Sequence, residues 1–182
     1  MGSTPNQLTD EIRDFCANIT LTNHPEWVDV APRDWCTQGE CFYNVRNMVQ
    51  ANHGNALNGW CIWQHNNMFV EAEHHCVWES PENDLIDVTP KQDNEQAILF
   101  LPDQDADFDW SRESRRKNIR VPLTNCSNLR LLLRLLESRD LAVERCGCVE
   151  TGKRSGYLQR IKNHYDPKVK KIWKKVESSA CD

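Results

Sequence analysis

Between Gly59 and Thr89, three apolar, β-branched and aromatic runs alternate with two polar turns. The runs are Gly59 to Trp63, Met68 to Trp78 and Asp84 to Thr89, and the turns are His65-Asn66-Asn67 and Ser80-Pro81-Glu82-Asn83. Runs of this length bounded by turn residues read as strands, and connections this short join antiparallel neighbours. An antiparallel meander is therefore expected, with Ala97 to Leu101, stopped by Pro102, as a fourth strand. Just upstream, Cys41, Val45, Met48, Val49 and Asn52 recur along one helical stripe from about Glu40 to Asn52, and Gly54 ends it. A helix followed by an antiparallel sheet is an α+β pattern.

The flanks are less regular. Thr9 can cap a helix that carries Asp10 and Glu11 in its first turn and Ile12, Phe15, Cys16 and Ile19 on one face. His24 to Thr37 holds two prolines and two tryptophans without periodicity, which predicts an ordered loop over the core. Val121-Pro122-Leu123 suggests a short extended piece. Asn128 to Leu141 is the strongest helical signal, and leucines at 129, 131, 132, 133, 135 and 136 ask for burial on more than one side. Beyond Cys146, Tyr157, Ile161, Val169, Ile172 and Trp173 leave a thin apolar stripe among lysines and arginines. A boundary near Arg145 is expected, with 1–145 as the principal domain and 146–182 as a basic helical extension.

The chain has 182 residues, a net charge of −5 and nine cysteines. The length suits one domain, or one domain with an appendage. The charge supplies no global basic field for nucleic acid. An odd number of cysteines, several inside apolar runs such as Trp60-Cys61-Ile62-Trp63, predicts reduced thiols in a reducing compartment, the cytosol. Residues 1–6 have neither a basic end nor an apolar stretch, and no run approaches membrane-spanning length, so a soluble protein with no membrane partner is expected.

Three residues in this framework carry chemistry. Cys41 falls in the first turn of a helix, where the dipole and backbone N–H groups favour a thiolate. His75 falls on a strand, and Asp87 is a polar residue inside an otherwise apolar run. A thiol, a base for its proton and a carboxylate to orient that base are the parts of a cysteine nucleophile. Strand alternation puts Met68, Val70, Ala72, His74, Cys76 and Trp78 on one face, read as core. Phe69, Glu71, Glu73, His75 and Val77 lie on the other, read as the cleft face, which selects His75 over His74. Gln38 and the Cys41 N–H are candidates for an oxyanion hole, and Asn44 for supporting the loop beneath the nucleophile. Trp60, Trp63 and Glu73 are the candidate substrate-binding residues, the two tryptophans on opposite faces of their strand.

These motifs resemble a family of small proteins found with the SEC-C motif. The shared residues are Cys41, Asn44 and Val45; Gly59, Trp60, Ile62 and Trp63; His75, Val77 and Trp78; and Leu85 through Pro90. The resemblance spans roughly residues 36 to 123, including Ile98 to Asp103 and Asn118 to Leu123, and places His75 in the family's histidine position. It is more distantly similar to the protein N-terminal glutamine amidohydrolases, papain-like enzymes with a Cys-x-x-Asn-Val element and a Cys, His, Asp order. The resemblance implies a papain-like or transglutaminase-like fold, with the nucleophile helix packed on the antiparallel sheet. It also suggests side-chain amide chemistry as one option.

The expected activity is that of a thiol hydrolase, amidohydrolase or acyltransferase on a peptide or small-molecule amide, with no cofactor. A SEC-C motif pairs Cys-x-Cys with a second Cys-Cys or Cys-His pair; here Cys146-Gly-Cys148 is followed by Tyr157-Leu158 in that place, so a metal-free remnant is expected. Two other classes remain open. Glu71, Glu73 and His75, with His65 and Asp87 nearby, are credible metal ligands. Alternatively, Lys168, Lys170, Lys171, Lys174 and Lys175, or the acidic stretch Asp103 to Asp109, could serve a non-enzymatic binding module.

Overall fold

A computed structural model describes residues 2–91, 94–146 and 151–178, the side chains of 151–155 excepted. It is a mixed α+β fold. Its elements are α1 (Asp10–Ala17), β1 (Glu26–Val30), α2 (Cys41–Asn52), β2 (Asn55–His65), β3 (Phe69–Glu79), β4 (Leu85–Asp87), β5 (Ala97–Pro102), β6 (Ile119–Pro122), α3 (Ser127–Cys146) and α4 (Thr151–Ser178). Two compact units are distinguished: Met1–Gln64 with Ala72–Asp107, and His65–Glu71 with Phe108–Asp182.

The first unit is built on a closed five-stranded barrel, ordered β2-β5-β1-β4-β3 and sealed by pairing of β2 with β3. The expected meander is present, with β2 paired to β3 and β3 antiparallel to β4, and the structure adds to it a strand and a closure that were not expected. Residues 26–30, read as part of a loop, form β1, which runs parallel to β4 through Asp29–Ile86 and Val30–Asp87 and antiparallel to β5. Only Val28 of this strand is fully buried, with Val30 packed against the same cluster, which is too short a pattern to read as a strand. Closure also changes the reading of β3. Both of its faces are buried, because the face assigned to a cleft points at Val28, Cys61, Ile98 and Phe100, which form a core cluster with Val77.

Around the barrel, Thr9 caps α1 through its side chain, as expected, and Ile12, Phe15 and Cys16 are buried. Helix α2 buries Cys41, Phe42, Asn44, Val45 and Met48, with the Phe42 ring 4.8 Å from that of His74 on β3. Gly59 marks a close approach of the paired strands β2 and β5: a Cβ there would run into the Leu101 carbonyl and come within 2.8 Å of the Phe100 ring.

In the second unit, Leu129, Leu132 and Leu136 of α3 pack with Phe69 and with Ile172 and Val176 of α4. The leucines form one buried stripe rather than two buried faces, since Leu131 is 44% exposed. Past β6, the Leu123 N–H donates to the Met68 carbonyl at 2.8 Å. Beside it, Glu71 is bonded by His65 at 2.7 Å, by Asn118 at 2.7 Å and by Arg120 at 2.6 Å, and Arg120 also reaches Asp140. Cys148, the second cysteine of the Cys-x-Cys pair, lies outside the described residues. Among the described residues no helix is long and apolar enough to cross a membrane.

Candidate active site

Cys41 is the first residue of α2. The preceding Glu40 makes no side-chain cap, and Cys41 stands at the positive end of the helix dipole, which favours a thiolate. Ahead of it, the segment Thr37 to Glu40 is fixed by Asn44, one turn into the helix. Its amide oxygen accepts from the Thr37 N–H at 3.0 Å, and its nitrogen donates to the Thr37 carbonyl at 2.8 Å and to the Thr89 hydroxyl at 3.2 Å. Asn44 thus ties the approach to Cys41 to the segment that follows Asp87. Gln38 lies on this tied segment with its side chain exposed, and Gly39 beside it takes a φ of +79°, which suits glycine.

His75 on β3 and Asp87 at the end of β4 meet at 2.8 Å, Nε2 of the imidazole against Oδ2 of the carboxylate. Both are deeply buried, at 5% and 0% exposure, and Cys41 is 1% exposed. The other Asp87 oxygen accepts from the Thr89 N–H at 2.9 Å. Burial is the largest influence on the imidazole and favours its neutral form. Lys91 acts in the same direction as burial, but the charge and hydrogen bond of Asp87 together with Cys41 outweigh both, and the net result raises His75 from 6.5 to about 9. For Asp87, burial favours protonation, but the His75 charge and hydrogen bond, with Lys91, bring it down to about 2.

Lys91 was not legible as a site residue. Its ammonium bonds the same Asp87 oxygen that His75 uses, lies 3.4 Å from His75 Nε2, and stands 5.9 Å from the centre of the Trp63 ring. A lysine after a proline in a turn looks like solvated surface; only the fold brings its side chain to 10% exposure.

The two tryptophans have different surroundings, as alternation requires. Trp63 is half-buried and donates to Glu73 at 2.8 Å, beside Lys91. Trp60 is buried, donates to Asp103 at 2.8 Å and lies 5.5 Å from the His74 ring. His74 is a core histidine whose Nε2 donates to the Ala106 carbonyl at 2.7 Å. Of the carboxylates considered as metal ligands, Glu71 is engaged by His65, Asn118 and Arg120, and Glu73 by Trp63. Among the described residues no group of three or more His, Cys, Asp or Glu side chains is placed to hold a metal ion.

Burial governs three of the other thiols. Burial drives Cys61 and Cys76 well above the ordinary thiol range and Cys16 to about 12, which keeps them protonated and inert. Comparison of the chain with family models, with curated proteins and with solved structures finds no match.

Proposed function

We propose that the chain is a cysteine-nucleophile enzyme, a hydrolase or acyltransferase that attacks an amide or ester carbonyl in a papain-like or transglutaminase-like arrangement. The observation that carries this reading is the buried 2.8 Å bond between His75 and Asp87 in a site where Cys41, at the start of α2, acts electrostatically on the same imidazole. With Nε2 committed to Asp87, Nδ1 is the nitrogen left to take the thiol proton. The thiolate adds to the carbonyl carbon, with the Cys41 N–H and Gln38 as candidate oxyanion donors. Collapse to the thioester expels an amine or alcohol, which takes the proton from His75. Water or an acceptor amine, deprotonated by His75, then releases the acyl group.

A peptide or a small-molecule amide is the substrate class that fits this chemistry. Trp63 and Glu73, joined by a hydrogen bond beside Lys91, are the nearer candidates for substrate contact, and Trp60 belongs to the support behind them. Free thiols at Cys16, Cys36, Cys41, Cys61, Cys76, Cys126 and Cys146 suit a cytosolic location.

Limiting iodoacetamide at neutral pH, read by peptide mass spectrometry, tests the assignment. Cys41 should be alkylated before Cys36, Cys61 and Cys76, and Asp87→Asn should slow its labelling. An inert Cys41 in the folded protein, with another cysteine leading, overturns it.

A further inference from the structure

We propose that Lys91 is a positioning residue of this site: its ammonium, held on the Asp87 oxygen that His75 also uses, loosens the carboxylate's hold on the imidazolium so that the proton taken from Cys41 can be passed on. The proposal rests on the thiol-enzyme reading and adds a fourth member to it.

The geometry is specific. Asp87 Oδ2 receives both His75 Nε2, at 2.8 Å, and the Lys91 ammonium, while Oδ1 is taken by the Thr89 N–H. One carboxylate therefore serves two cations whenever His75 is protonated, and those cations stand 3.4 Å apart. Two like charges at that separation in a buried site repel strongly. Lys91 has little freedom to withdraw, because its side chain is 10% exposed and packed beside the Trp63 ring.

The groups facing His75 are Asp87 from β4, Lys91 from the segment after it, Cys41 from α2 and the Phe100 ring from β5. Lys91 is faced in turn by Glu73 and Cys61, and Asp87 by Cys36. This set of charges changes during the proposed reaction. With the thiolate present, Asp87 and Cys41 together hold the proton on His75 against Lys91. In the thioester the Cys41 charge is gone, and Lys91 opposes Asp87 alone. The imidazole then gives up its proton to the leaving amine and is neutral when water must be deprotonated. Without Lys91, Asp87 would retain the imidazolium and stall the second half of the cycle.

The test titrates His75 by NMR in Cys41→Ala protein, which reproduces the missing thiolate charge. Adding Lys91→Met should raise the His75 midpoint by about one unit or more, and Lys91→Arg, which keeps the charge, should return it towards its starting value. An unchanged or lowered midpoint in folded Lys91→Met protein overturns the proposal. If that variant does not fold, Lys91→Gln carries the same expectation, and failure of both to fold assigns Lys91 to stability and also overturns it. Because Cys41 is absent from this background, the outcome does not depend on its reactivity; failure of the thiol-enzyme reading appears separately, in the labelling of the unmodified chain.

Discussion

The side-chain amide of Asn44 grips the backbone of Thr37 at both ends, accepting from its N–H at 3.0 Å and donating to its carbonyl at 2.8 Å. A residue inside a helix thereby fixes the segment that leads into that helix. Asn44→Ala should cost about 2 kcal/mol, because it leaves two backbone groups of Thr37 without this partner. Asn44→Asp should also destabilise, since a carboxylate cannot donate to the Thr37 carbonyl. Urea denaturation of the two variants reads both effects.

Stability should depend on pH in two separate ranges. Asp87 and Glu71 are lowered to about 2 from ordinary values of 3.8 and 4.5. Their contribution is therefore complete above about pH 4.5 and is lost as pH falls towards about 2. His75 is raised from 6.5 to about 9, so its contribution is complete below about pH 6.5 and is lost as pH rises through about 9. Urea midpoints across this range should show a plateau between the two declines. Glu71→Gln should flatten part of the acid limb alone, whereas Asp87→Asn should flatten both, because the His75 rise depends on Asp87.

Adjacent histidines should separate stability from reactivity. His74→Ala removes a fully buried ring packed against Phe42 and Trp60 and leaves the Ala106 carbonyl without its donor, so a loss of about 3 kcal/mol is expected. Its Cys41 alkylation rate, measured while folded, should stay near that of the unmodified chain. His75→Ala should slow that alkylation at neutral pH by tenfold or more. The opposite pattern in paired denaturation and labelling experiments would remove His75 as the base.

Two glycines should respond in opposite directions to alanine. Gly59→Ala forces a methyl group into the Leu101 carbonyl where β2 and β5 pair and should cost about 2 kcal/mol or more. Gly156, inside α4 with open space around its Cα, should gain about 0.5–1 kcal/mol from the same change. Thermal melts of the two variants provide the comparison.

Local signals made α2, its opening cysteine, β3 and β5 legible in the sequence, since each has a period or a terminator of its own. The same holds for the pairing of His75 with Asp87, two polar residues on neighbouring strands. What escaped depends on partners distant in sequence. Strand β1 reads as loop because only one of its five residues is fully buried and its pairing is supplied by residues 86–100. The burial of both faces of β3 follows from barrel closure, which alternation within one strand cannot reveal. Lys91 escaped because nothing local distinguishes a buried lysine after a proline from a solvated one.

The place of β1 between β4 and β5 also has a consequence during synthesis. Both of its sheet partners leave the ribosome more than fifty residues after β1 itself. Until then Trp27 and Val28 have no ladder to join, and Cys41 emerges before the barrel wall that will hold His75 and Asp87. Such long-range pairing is slow to form and leaves apolar segments open to other chains meanwhile. A nascent chain paused between Glu79 and Leu85 would display its thiol without its base and carboxylate assembled, so any reactivity that depends on them is withheld until translation has passed β5.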